Sequence, residues 1–125
     1  GNYCSEEETK EAIREVYKTS DYVIDTHTAV AAGVYKKYVK DTGDKIPAVI
    51  ASTASPYKFT RSVMDAISEG HENLDDFGLA DALEKLSGVA VPKAVNDIRT
   101  APVLHDRVVD AEDMPATVKE ILKIS

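Results

Sequence analysis

Apolar positions recur along this chain in two rhythms, one helical and one extended. From Ser5 to Lys18 they fall three and four residues apart, with Ile13, Val16 and Tyr17 on one stripe, which predicts an amphipathic helix. Ser5 followed three residues later by Glu8 reads as a capping box, each side chain satisfying a backbone donor at the helix start. Glu6 and Glu7 add negative charge at the positive end of the helix dipole. Tyr22-Val23-Ile24 is a short strand candidate, and Asp25-Thr26 starts a second helix. There Ala29 to Val34 run without a polar break, so that helix is expected to be central rather than superficial. Lys36, Lys37 and Lys40 suit its last turns, and Gly43 supplies the stop. Gly33 costs about 1 kcal/mol relative to alanine in a helix interior, so close approach of another group is expected there.

The extended rhythm centres on Pro47-Ala48-Val49-Ile50-Ala51, an apolar run that leads into Ser52-Thr53-Ala54-Ser55 and then Pro56-Tyr57-Lys58-Phe59. A buried strand reads this way when its carboxyl end delivers polar side chains into a crevice, the place where open α/β sheets collect ligands. Beyond it, Thr60 or a neighbour is expected to cap a helix carrying Val63, Met64 and Ile67, stopped by Gly70. Leu79, Leu83 and Leu86 predict a further helix ending at Gly88, and Pro92 opens a shorter one with Val95 and Ile98. Val103 to Val109 holds a last strand candidate. The C-terminal helix is predicted to turn Val118, Ile121 and Leu122 inward, with Asp113 as its cap and Pro115 in its first turn. The pattern predicts an α/β fold, helix-rich with two or three short strands. No strand of the kind that normally feeds a first helix in such a fold is expected in the few residues ahead of Ser5.

Composition narrows the partners. The 125 residues suit one domain, 1–125, with 43% apolar and 30% charged positions. Net charge is −7, from 22 acids against 15 bases, the wrong sign for a nucleic-acid surface. No apolar run approaches the roughly 20 residues of a membrane span, so no membrane partner is expected. The single cysteine, Cys4, has no internal disulfide partner, which points to the reducing cytoplasm.

The catalytic inventory is short. There is no glycine-rich phosphate loop, no nucleophile elbow and no paired Cys/His metal spacing. His71 and His105 read as structural or surface residues. Asp25-Thr26-His27-Thr28 has two readings: a plain N-cap with Thr28 incidental, or a helix start whose hydroxyls and imidazole face an anionic or heteroaromatic ligand. Ser52-Thr53-Ala54-Ser55 either satisfies loop backbone or lines a site. Lys58 is either a solvated lysine or, in a desolvating pocket, a Schiff-base candidate.

These residues carry a family resemblance. Tyr22-Val23-Ile24-Asp25-Thr26-His27-Thr28-Ala29-Val30 resembles the Y-x-x-D-P-H-T-A-V segment of threonine synthases, and Ser52-Thr53-Ala54-Ser55-Pro56-Tyr57-Lys58-Phe59 resembles their S-T-A-x-P-x-K-F segment. Order and spacing agree, and Ser5-Glu6-Glu7-Glu8-Thr9 resembles the helix start that precedes them. Two departures stand out: Thr26, where the family usually has proline, and Ser55, where many members have histidine. The resemblance is strong through residue 67 and weak after about residue 90.

The resemblance implies a pyridoxal 5'-phosphate enzyme of the tryptophan-synthase-β fold type, which converts O-phosphohomoserine and water to threonine and phosphate. It implies that Thr53 sets its hydroxyl against the pyridine nitrogen. A hydroxyl does not hold that nitrogen protonated as a carboxylate would, so the ring becomes a moderated electron sink. Asp25 then falls where related enzymes keep an acidic residue near the cofactor, and His27 opens the adjacent helix. No segment resembles the family's Schiff-base lysine or its glycine-rich phosphate loop, both of which lie upstream in that family. The chain is therefore expected to be a C-terminal portion of a truncated three-layer domain, holding one wall of the site and inactive alone. Apolar surface left uncovered would favour self-association. A non-catalytic binding module, or part of a related pyridoxal-phosphate enzyme acting on another β- or γ-substituted amino acid, are the alternative expectations.

Overall fold

The predicted capping box closes the start of α1 (Glu6–Ser20). In the computed structural model, which describes residues 1–124, Ser5 Oγ accepts from the Glu8 N–H at 3.3 Å. Glu8 Oε2 accepts in turn from the Ser5 N–H at 2.8 Å. The helix ends on Asp21, left-handed at φ 54°, a conformation that aspartate tolerates better than most non-glycine residues. The chain then dives inward through Val23 and Ile24, both buried, to the N-cap Asp25 of α2 (Thr26–Thr42). As the sequence predicts, Gly43 ends α2 in the left-handed region at φ 68°. A Cβ on Gly33 would stand 2.7 Å from the Sγ of Cys4, so the close approach expected there is made by the residue that leads into α1.

Helix α1 packs on α2 and on α3 (Thr60–Ile67), and α3 packs on α4 (Asp76–Ser87). Ile13, Ala29, Val63, Leu79 and Leu83 are fully buried at the centre of this layer. Arg14 ties α1 to α3 by donating from Nε to the carbonyl of Ala66 at 3.0 Å. A short 3-10 turn, Pro56–Lys58, leads into α3, and its Tyr57 is buried, with the phenol donating to the carbonyl of Val89. Thr60 does not cap α3. It is the first helical residue, and its hydroxyl donates to the carbonyl of Tyr57 at 3.0 Å. Gly88 ends α4 as predicted, and α5 (Lys93–Ile98) follows Pro92. Arg99, just past α5, forks onto Asp81 of α4 at 2.6 and 3.2 Å.

The strand predictions fail. Among the described residues no segment is paired into a sheet, and Tyr22 to Ile24, Pro47 to Ala51 and Val103 to Val109 carry no regular secondary structure. The physical reason is that a strand exists only against a second one, and none of these segments is laddered to another. The apolar run that reads as a buried strand is instead solvated, with Val49 99% exposed. Helix α2 is likewise covered along one side only, its buried residues being Thr28 and Ala29, where the apolar run had predicted a central helix. The last helix, α6 (Met114–Leu122), packs on the 3-10 turn Ala111–Asp113 that precedes it. Its Val118, Ile121 and Leu122 are 50%, 64% and 61% exposed rather than inward, and Asp113 makes no side-chain cap bond.

This division of the chain has a measurable consequence. Leu79→Ala empties a fully buried site and is expected to lower stability by about 2–5 kcal/mol in urea denaturation. Ile121→Ala, on the uncovered face of α6, is expected to change it by less than about 0.5 kcal/mol. Equal losses at the two positions would show that α6 belongs to the core.

Candidate functional site

Asp25 has no solvent-accessible surface, although it carries a carboxylate. Its position follows from the sequence: an aspartate that caps a helix must turn its side chain back over the first turn. Oδ1 accepts from the N–H of His27 at 2.8 Å and from the N–H of Thr28 at 3.3 Å. Oδ2 accepts a short hydrogen bond from the hydroxyl of Thr28. Ser52 arrives from a segment 27 residues further on, its Oγ 3.4 Å from Oδ2 of Asp25 and 3.1 Å from Oγ1 of Thr28. Each hydroxyl has one proton to give. With the Thr28 proton committed to the carboxylate, the single Ser52 proton is free for Oδ2 of Asp25, and the Ser52–Thr28 approach then carries none.

Burial would push the Asp25 carboxyl up. The hydrogen bonds from the Thr28 hydroxyl, the His27 and Thr28 N–H groups and the Ser52 hydroxyl outweigh it, and hold the group below its ordinary value. The buried carboxylate is thus stable as an anion at neutral pH, satisfied by protein donors.

The other predicted residues divide around this anchor. His27 projects outward with its side chain 61% exposed; its Nδ1 lies 3.4 Å from Oδ1 of Asp25. Its ring meets Phe59 at 5.0 Å between centroids, tilted by 49°. Lys58 reaches over the outer part of the same aromatic, its Nζ 5.4 Å from the Phe59 centroid. The two segments that resemble the threonine synthases therefore touch twice, at Asp25–Thr28–Ser52 and at His27–Phe59. Thr53 is exposed beside this contact, and its hydroxyl makes no hydrogen bond to the described residues. Ser55 is occupied locally: its Oγ accepts from the Tyr57 N–H at 3.2 Å, the backbone-satisfying role that a hydroxyl in such a loop predicts.

Thr28 and Phe59 carry more of the site than the sequence indicates. The i, i+3 spacing from Asp25 puts the Thr28 hydroxyl over the cap and is a legible signal. Nothing in the spacing marks Ser52 as the partner of Asp25. His71 is buried, with Nε2 3.1 Å from Oδ1 of Asp65, and His105 is exposed; neither joins the site. Among the described residues there is no cluster of three metal-ligating side chains, and no helix is long and apolar enough to cross a membrane.

The lowered carboxyl predicts a signed pH effect. A group whose folded pKa lies below its unfolded value of about 3.9 stabilises the fold above that pH, and its contribution is lost as pH falls through the folded value. Asp25→Asn is expected to lower stability at pH 7 and to flatten the acid limb of the stability curve, read by denaturation between pH 7 and 2.5. An unchanged acid limb would show that Asp25 is not held as an anion.

Comparison with known proteins places these residues in a family. The family model described as threonine synthase, C-terminal, matches residues 28–90, which begins at Thr28 and takes in Ser52 through Phe59. The human protein named threonine synthase-like 1 is 41% identical over 66 residues, 53% of this chain and 8% of that protein. The threonine synthase of Saccharomyces cerevisiae is 37% identical over 90 residues, 66% of this chain and 17% of the relative. That of Schizosaccharomyces pombe is 38% identical over 65 residues, 51% of this chain and 13% of the relative. The chain thus spans less than a fifth of the length of each relative it matches. With the family model covering half of its residues, the chain belongs to the threonine synthase C-terminal family.

Proposed function

We propose that these residues form one wall of the active site of a pyridoxal-phosphate-dependent threonine synthase, within a three-layer domain completed by the rest of that protein. The observation that carries the reading is Thr53: an exposed, uncommitted hydroxyl held beside a helix start by the contact between two family segments. The donor set fits the cofactor. Thr53 offers a neutral hydroxyl to a pyridine nitrogen, His27 and Phe59 offer aromatic faces to a heterocycle, and Asp25 lies beneath them as a buried anion. When bound, the cofactor would supply the electron sink for elimination from O-phosphohomoserine and for the addition of water that yields threonine and phosphate.

This chain's own residues would then bind and orient. Thr53 would hold the ring nitrogen without a formal charge, and the His27–Phe59 pair would bound the ring's approach. The Schiff-base lysine and phosphate cradle would come from the remainder of the enzyme, and Lys58, exposed at the edge of Phe59, is not assigned to that role. The single cysteine is consistent with a cytoplasmic protein.

A second reading has its own support. The relatives include proteins named threonine synthase-like 1 as well as threonine synthases, so the same wall could serve a related enzyme acting on another β- or γ-substituted amino acid. Turnover of O-phosphohomoserine against such analogues separates the two.

The cofactor assignment is tested at Thr53. In a threonine synthase carrying this segment, Thr53→Val is expected to lower turnover by about tenfold or more, roughly the 1.4 kcal/mol of one well-made polar contact, and to weaken cofactor retention in equilibrium dialysis. The circular dichroism of the variant should match that of the parent. Unchanged turnover and retention would remove Thr53 from the site.

A further inference from the structure

Thr53 makes no hydrogen bond of its own, so its placement has to come from its neighbours. Upstream, Ile46 is fixed, its N–H donating to Asp44 Oδ1 at 2.9 Å and its carbonyl accepting from the Tyr35 hydroxyl at 3.2 Å. Among the described residues, those that follow, Pro47 to Ala51, are mostly exposed and have no strand partner. Downstream, Tyr57 is buried and its phenol is tied to the carbonyl of Val89, while Ser55 caps the 3-10 turn that begins at Pro56. Between these points, among the described residues, the one side-chain hydrogen-bond tie is Ser52, on the Asp25–Thr28 pair. Thr53 and Ala54 therefore form a two-residue bridge between a polar pin at Ser52 and a turn anchored by Tyr57.

We infer that Asp25 acts as a positioning residue: through Ser52 it fixes the backbone that presents the Thr53 hydroxyl. The inference rests on the proposed cofactor-facing role of Thr53. It assigns Asp25 an indirect part in it. The geometry supports this division. Both carboxylate oxygens already accept from protein donors, and no surface of Asp25 is open to a ligand. A buried anion is also a better pin than a neutral acceptor, because charge-assisted hydrogen bonds are stronger and more directional. Thr28 completes the pin by orienting the carboxylate oxygen that Ser52 meets.

The tie is read without cofactor, as backbone order in the ¹⁵N-labelled chain. In the parent, the ¹H–¹⁵N heteronuclear NOE at Ser52 and Thr53 is expected to match that of α2 and to exceed that of Val49 and Ile50. Ser52→Ala removes the hydroxyl from a residue outside the core, so the fold should persist, with a melting temperature lowered by a few degrees at most. The NOE at Ser52 and Thr53 should fall to the level of Val49 while that of Tyr57 holds. Ser52→Thr, which keeps the hydroxyl, should restore it, and Asp25→Asn should loosen the same two residues. An unchanged NOE at Thr53 in Ser52→Ala, or no rescue by Ser52→Thr, would overturn the inference. The two readings fail separately. If Ser52→Ala loosens Thr53 while Thr53→Val leaves a threonine synthase unaffected, the pin stands and the cofactor role falls.

Discussion

A single buried carboxylate sets the geometry of this chain's candidate site. Burying an unpaired charge is among the most costly acts a fold can perform, and Asp25 is tolerated because donors surround it. Three of those donors belong to the first turn of α2, so the helix start and the anion stabilise each other. The fourth belongs to Ser52, which brings in a segment that, among the described residues, makes no other side-chain hydrogen bond to the helices before Tyr57. Without that donor the segment from Pro47 to Ser55 would have neither a sheet nor a pin.

The helices surround this anchor but leave much uncovered. Ile13, Val63, Leu79 and Leu83 close a core between α1, α3 and α4, whereas Val49 and the outer face of α6 face solvent. The apolar run from Pro47 to Ala51 has the composition of a strand and, among the described residues, no strand partner. In the proposed three-layer domain that run would pack against the rest of the protein.

What was legible in the sequence was local. The Ser5–Glu8 box, the Asp25 cap and the glycine stops at Gly43 and Gly88 each depend on residues within one or two turns, and each forms. Strands depend on a distant neighbour, and the apolar run that marks Val49 as buried carries no information on whether that neighbour is present. The same limit explains α6: its apolar stripe says which side wants cover, and nothing about what covers it. At the site, the resemblance implied that residues of both family segments lie near one cofactor, and it did not say how the segments meet. Its physical form, Ser52 on Asp25 and Phe59 against His27, crosses 27 and 32 positions of chain and has no local signature.

The account stands on the coupling between Asp25 and Ser52. A double-mutant cycle of Asp25→Asn and Ser52→Ala, read by urea denaturation at pH 7, measures it directly. The two losses are expected not to add, with a coupling of about 0.5–3 kcal/mol, as for residues in one hydrogen-bond network. Strict additivity, with Ser52→Ala costing as much beside asparagine as beside aspartate, would contradict it.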